Sequence, residues 1–447
     1  MITLAADYAL LDDGFVRDVR IGVAGGVIAA VTRGAAQPHD ERVAGVLLPG
    51  MGNLHSHAFQ RIFAGRSEHT QGGADFWSWR DAMYRAAAAM TPQHYAPVMA
   101  WLGKELLKGG YTAHAEFHYL HNQPDGSAYA PPTAMAEALA AGAAQSGIAL
   151  TLLLGVYETA GFDGAPLHGG QLRFRNNVAS ARHMADALAP GHSDVGVGLA
   201  LHSLRAVPPA SLAAAVRDFA GHGPIHIHVA EQRAEVAACV ATLGAPPVAW
   251  LLDHAPVDPS WCLVHATHAT AAEITAAART GAVIGLCPST EADLGDGIYD
   301  FPTHVRAGGR FGIGSDSNVM LDAFAELRLL EYGQRLRAER RNVAAGATHH
   351  CGRALWQEAA AGGAAACGRA AGRIAPGHRA DFVVIEATPE TAGAAPDFVL
   401  DAAIFSPLRA PARHVMVGGG WLVRDGVHRN EAAIDTAYEA ALQALSQ

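Results

Sequence analysis

The chain has 447 residues, enough for one large domain with a smaller companion. Half of it is apolar and its formal charge is −10. Lysine occurs only at Lys104 and Lys108, so arginine supplies almost all the positive charge. That balance excludes a nucleic-acid-binding surface of clustered Lys and Arg.

Residues 1–7 lack the basic-then-apolar pattern of a secretion signal, and no apolar run approaches the length of a membrane span. Five cysteines (Cys239, Cys262, Cys287, Cys351 and Cys367) are widely spaced and form no CxxC pair. They read as small buried thiols, kept reduced in a cytoplasmic protein.

The first predicted elements are short strands, Asp18 to Val23 and Val27 to Val31, around the turn Gly25-Gly26. An apolar run then covers Leu47 to Leu54, interrupted by Pro49 and Gly50. Thr91-Pro92 reads as an N-cap with proline at the first helical position, and that helix closes at Gly109-Gly110. A strand over Tyr111 to Tyr119, a helix near Thr133 to Gln145 and a strand over Ile148 to Val156 follow. Further strands are predicted at Val195 to Leu201, Pro224 to Val229, Cys262 to Ala266, Ala282 to Cys287 and Phe311 to Ser315.

Continuous apolar runs separated by helical stretches are the pattern of buried parallel strands in βα units. Counted from Leu47 there are eight, the number that closes a barrel. The fold expected is α/β: a TIM-type (β/α)8 barrel over 49–368. Strand texture returns at Asp381 to Ile385, His414 to Val417 and Trp421 to Val423. A small β-sandwich domain from both chain ends, 1–48 plus 369–429, is therefore expected. Residues 430–447 read as an amphipathic helix that suits either its own barrel or a neighbour.

Polar residues recur where these strands end: His55-Ser56-His57, His226-Ile227-His228 with Glu231, His265, and Ser315-Asp316. Residues i and i+2 of a strand share a face, so paired histidines can reach one ion. The C-terminal ends of barrel strands converge on one mouth, which lets ligands distant in sequence meet. Singly, each has an ordinary explanation, since HxH arises readily by chance among 24 histidines, one of His226 and His228 could simply pack, and Asp316 could cap a helix. Jointly they read as a metal site. His114-Ala115-Glu116 imitates a zinc deaminase motif but lacks the P-C-x-x-C that should follow. Neither a Walker A motif nor G-x-S-x-G is present.

At this point the motifs resemble the amidohydrolase superfamily. Pro49 to His57 is similar to its first-strand metal motif, and Gly372 to Asp381 to the segment that re-enters its small β-domain. Within it, Asn53 to Arg61, Phe76 to Arg80, Glu116 to His121 and Leu327 to Arg335 resemble the formimidoylglutamate deiminase family. That family converts N-formimidoyl-L-glutamate to N-formyl-L-glutamate and ammonia in histidine breakdown.

The resemblance implies zinc ligands His55, His57, His228 and Asp316, with Asp316 also taking the proton of the attacking water. It implies Glu231 as proton shuttle and His265 as hydrogen-bond partner of that water. Gln60, Arg80, Tyr119, His202 and Arg205 match positions that hold substrate. Arg80 and Arg205 offer bidentate donors to a substrate with two carboxylates.

Many amidohydrolases bridge two metals with a carboxylated lysine on the fourth strand. Here no lysine follows Lys108 and the fourth strand ends in His202, so one Zn2+ per subunit is expected. Fe2+ and Mn2+ suit the same donors. A homodimer is expected by family analogy. The rival readings are a deaminase of guanine, adenosine-like compounds or a triazine on the same scaffold, and a non-catalytic assembly barrel.

Overall fold

A computed structural model of the chain describes residues 2–66, 68, 76–188, 191–192, 194–345 and 350–445; the side chains of residues 76–78 and 80–82 lie outside that description. Strands β1 (Ile2–Leu11), β2 (Gly14–Ala24), β3 (Val27–Arg33) and β4 (Glu41–Pro49) open the chain. Strands β5 (Met51–Asn53), β6 (Tyr111–His118), β7 (Ala149–Val156), β8 (Gly196–Leu201), β9 (Ile225–Val229), β10 (Trp261–His265), β11 (Val283–Leu286) and β12 (Arg310–Ile313) follow. They close into a parallel barrel, with β12 beside β5 and β9 beside β10. The eight predicted runs are the eight barrel strands. β6 and β7 are buried along their whole length, as expected of strands covered on both sides.

β13 (Phe382–Ile385), β14 (Ala412–Val417), β15 (Gly420–Arg424) and β16 (Val427–His428) join β1–β4 in one mixed sheet, ordered β16-β15-β14-β13-β4-β1-β2-β3. This sheet folds over a core of its own. Ile21 and Ile28 from one end meet Phe382 and Met416 from the other in one apolar cluster, with Trp421 packed on it.

The apolar run Leu47 to Leu54, read as one barrel strand, serves both sheets. Its first half pairs with β13 as far as Pro49, and its second half begins the barrel at Met51. Proline has no N–H for a further rung. Gly50 donates to the carbonyl of Asp381 (2.9 Å), and a Cβ there would sit 2.2 Å from Thr112 Oγ1. Pro49 and Gly50 are thus the physical hand-over between the two sheets.

The helix Pro92–Lys108 has Thr91 at its N-cap and Gly109 after its end, as its sequence predicts. The terminal helix Glu431–Leu445 packs on it: Tyr438 stacks on Trp101 at 4.5 Å, and Lys108 pairs with Glu431 at 2.8 Å. Both lysines of the chain serve this contact, Lys104 pairing with Asp435.

The helix Cys351–Ala366 lies against β5 and β12, where Gly362 and Gly363 permit contact of backbones; a Cβ on Gly362 would meet the carbonyl of Phe311 at 1.8 Å. Its end closes the barrel floor, with Ala366 among the inward residues Leu54, Cys262, Val264 and Val283. All five cysteines are buried and unpaired. No single helix among the described residues is long and apolar enough to cross a membrane.

Candidate active site

Strand alternation sorts the histidines. On β9, His226 and His228 share the inward face at different depths. His226 bonds the carbonyl of Ala366 at the floor (2.8 Å), which leaves His228 at the mouth. On β6, Phe117 faces the imidazoles of His55, His57 and His228, with centroids 5.1, 5.4 and 4.4 Å away. His114 and Glu116 lie on the other face and bond each other (3.0 Å), so the imitation motif is part of a buried polar network behind the mouth, in which Glu116 accepts the backbone N–H of Ala58 and His114 meets Asn53.

The mouth gathers the predicted donors. His55 Nε2 lies 3.0 Å from His228 Nε2, and both His55 Nε2 and His57 Nε2 lie 3.4 Å from Asp316 Oδ1. Nδ1 of His57 donates to the carbonyl of Phe117 (3.1 Å), and Nδ1 of His228 to that of His202 (2.7 Å). A carbonyl only accepts, so these bonds fix the tautomers and leave Nε2 as a lone pair on each ring.

Burial, and the neighbouring imidazoles after it, hold His55 and His57 well below the usual histidine range, and burial brings His228 down to about 4. The neutral lone pair of His57 therefore faces a carboxylate oxygen. Two acceptors at that separation call for a cation between them. Three neutral imidazoles and one carboxylate match the donor preferences of a divalent transition metal, zinc included.

Two more titratable groups stand beside these donors. His265 Nε2 is 3.6 Å from Asp316 Oδ2 and 3.9 Å from Glu231 Oε1, and its Nδ1 donates to Glu291 Oε1 at 3.2 Å. Burial opposes charge on this ring, but Glu231, Glu291 and Asp316 outweigh it and hold its pKa well above the ordinary value. Burial pushes the Glu231 carboxyl up to about 7, with His265 pulling down and Asp316 pushing up. A carboxyl poised there suits proton transfer in both directions near neutrality.

A cavity of about 410 Å³ opens above these groups, and Gln60, Tyr119, His202 and Arg205 all line it. Gln60 Nε2 donates to the Tyr119 hydroxyl (3.0 Å). Arg205 uses one terminal nitrogen on the hydroxyl of Tyr157 and the carbonyl of Ala160, both at 3.2 Å. Arg80 is on the helix Phe76–Ala89, and its side chain lies outside the described residues.

Sequence reading missed Glu291, Tyr157 and Asn318. Asn318 Nδ2 donates to the carbonyl of His57 (3.0 Å) while its Oδ1 accepts from Ser315 Oγ (2.6 Å), which ties the first-strand motif to the loop of Asp316. Asn318 lies two residues past Asp316, and that closeness to the eighth-strand motif was the available signal.

A closed α/β barrel whose mouth carries imidazoles, carboxylates and an arginine is the architecture of a metal-dependent hydrolase. The chain belongs to the amidohydrolase family, whose model matches residues 46–422. The model described as formimidoylglutamate deiminase HutF, N-terminal domain, matches residues 1–44. The chain is 45% identical to the formimidoylglutamate deiminase of Pseudomonas aeruginosa over 100% of both chains. It is 29% identical to the 8-oxoguanine deaminase of the same organism over 90% of this chain and 87% of that one. The crystal structure of an amidohydrolase from Brucella melitensis superposes with a TM-score of 0.96, at 43% identity and full coverage of both. An adenosine deaminase from Xanthomonas campestris with bound zinc shares the fold at a TM-score of 0.80 and 22% identity, covering 100% of this chain and 98% of that one.

Proposed function

We infer that the chain hydrolyses N-formimidoyl-L-glutamate to N-formyl-L-glutamate and ammonia. The observation that carries this is the end-to-end match to the Pseudomonas aeruginosa deiminase, 45% identical, joined to the family-specific N-terminal match. The site agrees in chemistry. An amidine substrate needs an activated water and a proton for its departing nitrogen, and a substrate with two carboxylates needs cationic donors in an otherwise acidic protein.

The residue roles are those the family resemblance implies, and the geometry of the mouth supports them. His55, His57, His228 and Asp316 would hold one zinc ion, which supplies a Lewis acid that lowers the pKa of a bound water to about 7. Asp316 also receives a proton from the attacking water. His265, 3.6 Å from Asp316, orients that water. Addition at the formimidoyl carbon gives a tetrahedral centre. Glu231 delivers a proton to the terminal nitrogen, the carbon–nitrogen bond breaks, and ammonia leaves.

One edge of Arg205 is anchored by Tyr157 and Ala160, and the opposite Nε–Nη edge is the one offered to a carboxylate. Gln60, Tyr119 and His202 complete the wall, with Arg80 for the second carboxylate. The homodimer and the cytoplasmic location belong to this reading by analogy with the family.

The test is ammonia release by zinc-loaded protein from N-formimidoyl-L-glutamate, guanine and adenosine side by side. Turnover of the formimidoyl compound alone is expected. Turnover of a purine in its place would replace this reading with the purine deaminase one.

A further inference from the structure

We propose that Glu291 is the positioning residue of His265. The short helix that carries it, Pro288–Asp293, would then be a bracket that holds His265 and Asp316 in one geometry. The proposal rests on the reading above, in which His265 orients the attacking water.

His265 needs external support. In β10, Cys262 and Val264 belong to the barrel interior, so alternation alone would send His265 to the outer face. Instead the strand ends there in left-handed backbone, φ 68° at His265 and 49° at Ala266, and this turns the imidazole into the mouth. Residues with a Cβ are disfavoured in that region, so surrounding contacts must hold the turn and the ring.

The hydrogen bond that fixes the ring comes from Nδ1 to Glu291 Oε1 at 3.2 Å. The same oxygen accepts the backbone N–H of Cys287 at 2.9 Å, so the carboxylate is pinned at the start of its own helix. His265 is 1% exposed and Glu291 7%, which leaves water little access to either.

The two preceding residues anchor the same helix elsewhere. Thr290 Oγ1 accepts from the backbone N–H of Ser317 (3.2 Å), lies 2.9 Å from the Ser317 hydroxyl, and donates to the carbonyl of Ser315 (3.3 Å). It therefore grips both neighbours of Asp316, itself at φ 45°. Ser289 donates to Glu326 through both its backbone N–H (2.9 Å) and its hydroxyl, which ties the bracket to the helix Ala323–Ala338. Three consecutive side chains thus reach three different elements, and two of those carry groups of the mouth. The product of this bracing is the 3.6 Å separation between His265 Nε2 and Asp316 Oδ2.

The test compares Glu291→Gln, Glu291→Asp and Glu291→Leu. Glutamine keeps an oxygen in place for both N–H groups, aspartate keeps the charge but falls short by a methylene, and leucine keeps neither. If reach matters, Glu291→Gln retains kcat within about tenfold. Glu291→Asp and Glu291→Leu then lose about 100-fold, the scale of an ångström of misplacement, with KM within about threefold of wild type. Zinc content and melting temperature identify any variant that has merely failed to fold. If Glu291→Leu does not fold, the order of Gln above Asp decides.

Crystal structures of the same variants should show the His265 ring in place with Gln and rotated away with Asp. Absence of wild-type turnover would defeat the functional reading, and the ring position would still decide the role of Glu291. Aspartate equal to or better than glutamine in kcat, or an unmoved ring in Glu291→Asp, would overturn the proposal.

Discussion

Arg205 shows how one side chain is divided between structure and recognition. Its guanidinium is half-buried in the wall of the mouth, and Tyr157 and Ala160 occupy one terminal nitrogen. Neither hydrogen-bond partner is a carboxylate; the Glu235 carboxylate nearby is itself held by the backbone N–H groups of Ala230 and Glu231, and under the proposed function the free edge of Arg205 meets the substrate. Arg205→Leu should raise KM for N-formimidoyl-L-glutamate by about 100-fold, since a buried charge-assisted pair is worth about 2–5 kcal/mol in such truncations, with a smaller effect on kcat. Steady-state kinetics checks it, and an unchanged KM removes Arg205 from the substrate site. His202 and Arg205 were legible in the sequence because they follow an apolar strand directly. Tyr157 was less so. A tyrosine one residue beyond β7 looks like any core aromatic until the arginine is seen against it.

At the scale of elements, the eight strands were legible because each is a continuous apolar run, the signature of burial on both sides. Left-handed turns at strand ends were not. Nothing in Leu263-Val264-His265-Ala266 announces φ 68° at the histidine, yet that turn brings its ring to Asp316. The bracket helix Pro288–Asp293 was equally silent, being only six residues long.

Its anchor on the helix Ala323–Ala338 leaves a thermodynamic signature. Burial pushes the Glu326 carboxyl up to about 8, partly offset by hydrogen bonds from Ser289. Unfolded, the same group titrates near 4.3. The native state therefore holds a proton that the unfolded chain has lost. This contribution to stability is fully present below pH 4 and declines as pH rises to about 8, by about 1.4 kcal/mol per pH unit for one proton. Glu326→Gln should remove that slope from denaturant melts taken between pH 5 and 8. An unchanged slope would show that Glu326 is ionised in the folded protein.

Over the whole molecule, the two sheets share one piece of chain, and that junction sets the site. β4 delivers the chain through Pro49 and Gly50 into β5, and His55 and His57 follow within a few residues. The end of Cys351–Ala366 closes the floor below, bonding His226. Two apolar halves separated by Pro-Gly read as one interrupted strand, so the junction was hidden in the sequence. The polar motifs of the mouth were clear, since paired polar residues at the ends of several apolar strands together have few structural uses. The substrate was legible only through the longer family-specific motifs, because similar chains include both a formimidoylglutamate deiminase and an 8-oxoguanine deaminase.

The central claim concerns which carbon–nitrogen bond breaks. Products formed from N-formimidoyl-L-glutamate labelled with carbon-13 at the formimidoyl carbon, followed by NMR with ammonia assayed in parallel, test it directly. The account predicts N-formyl-L-glutamate and ammonia in equal amounts, abolished by a chelator and restored by zinc. Formamide with free glutamate, or undiminished turnover in metal-free protein, would contradict it.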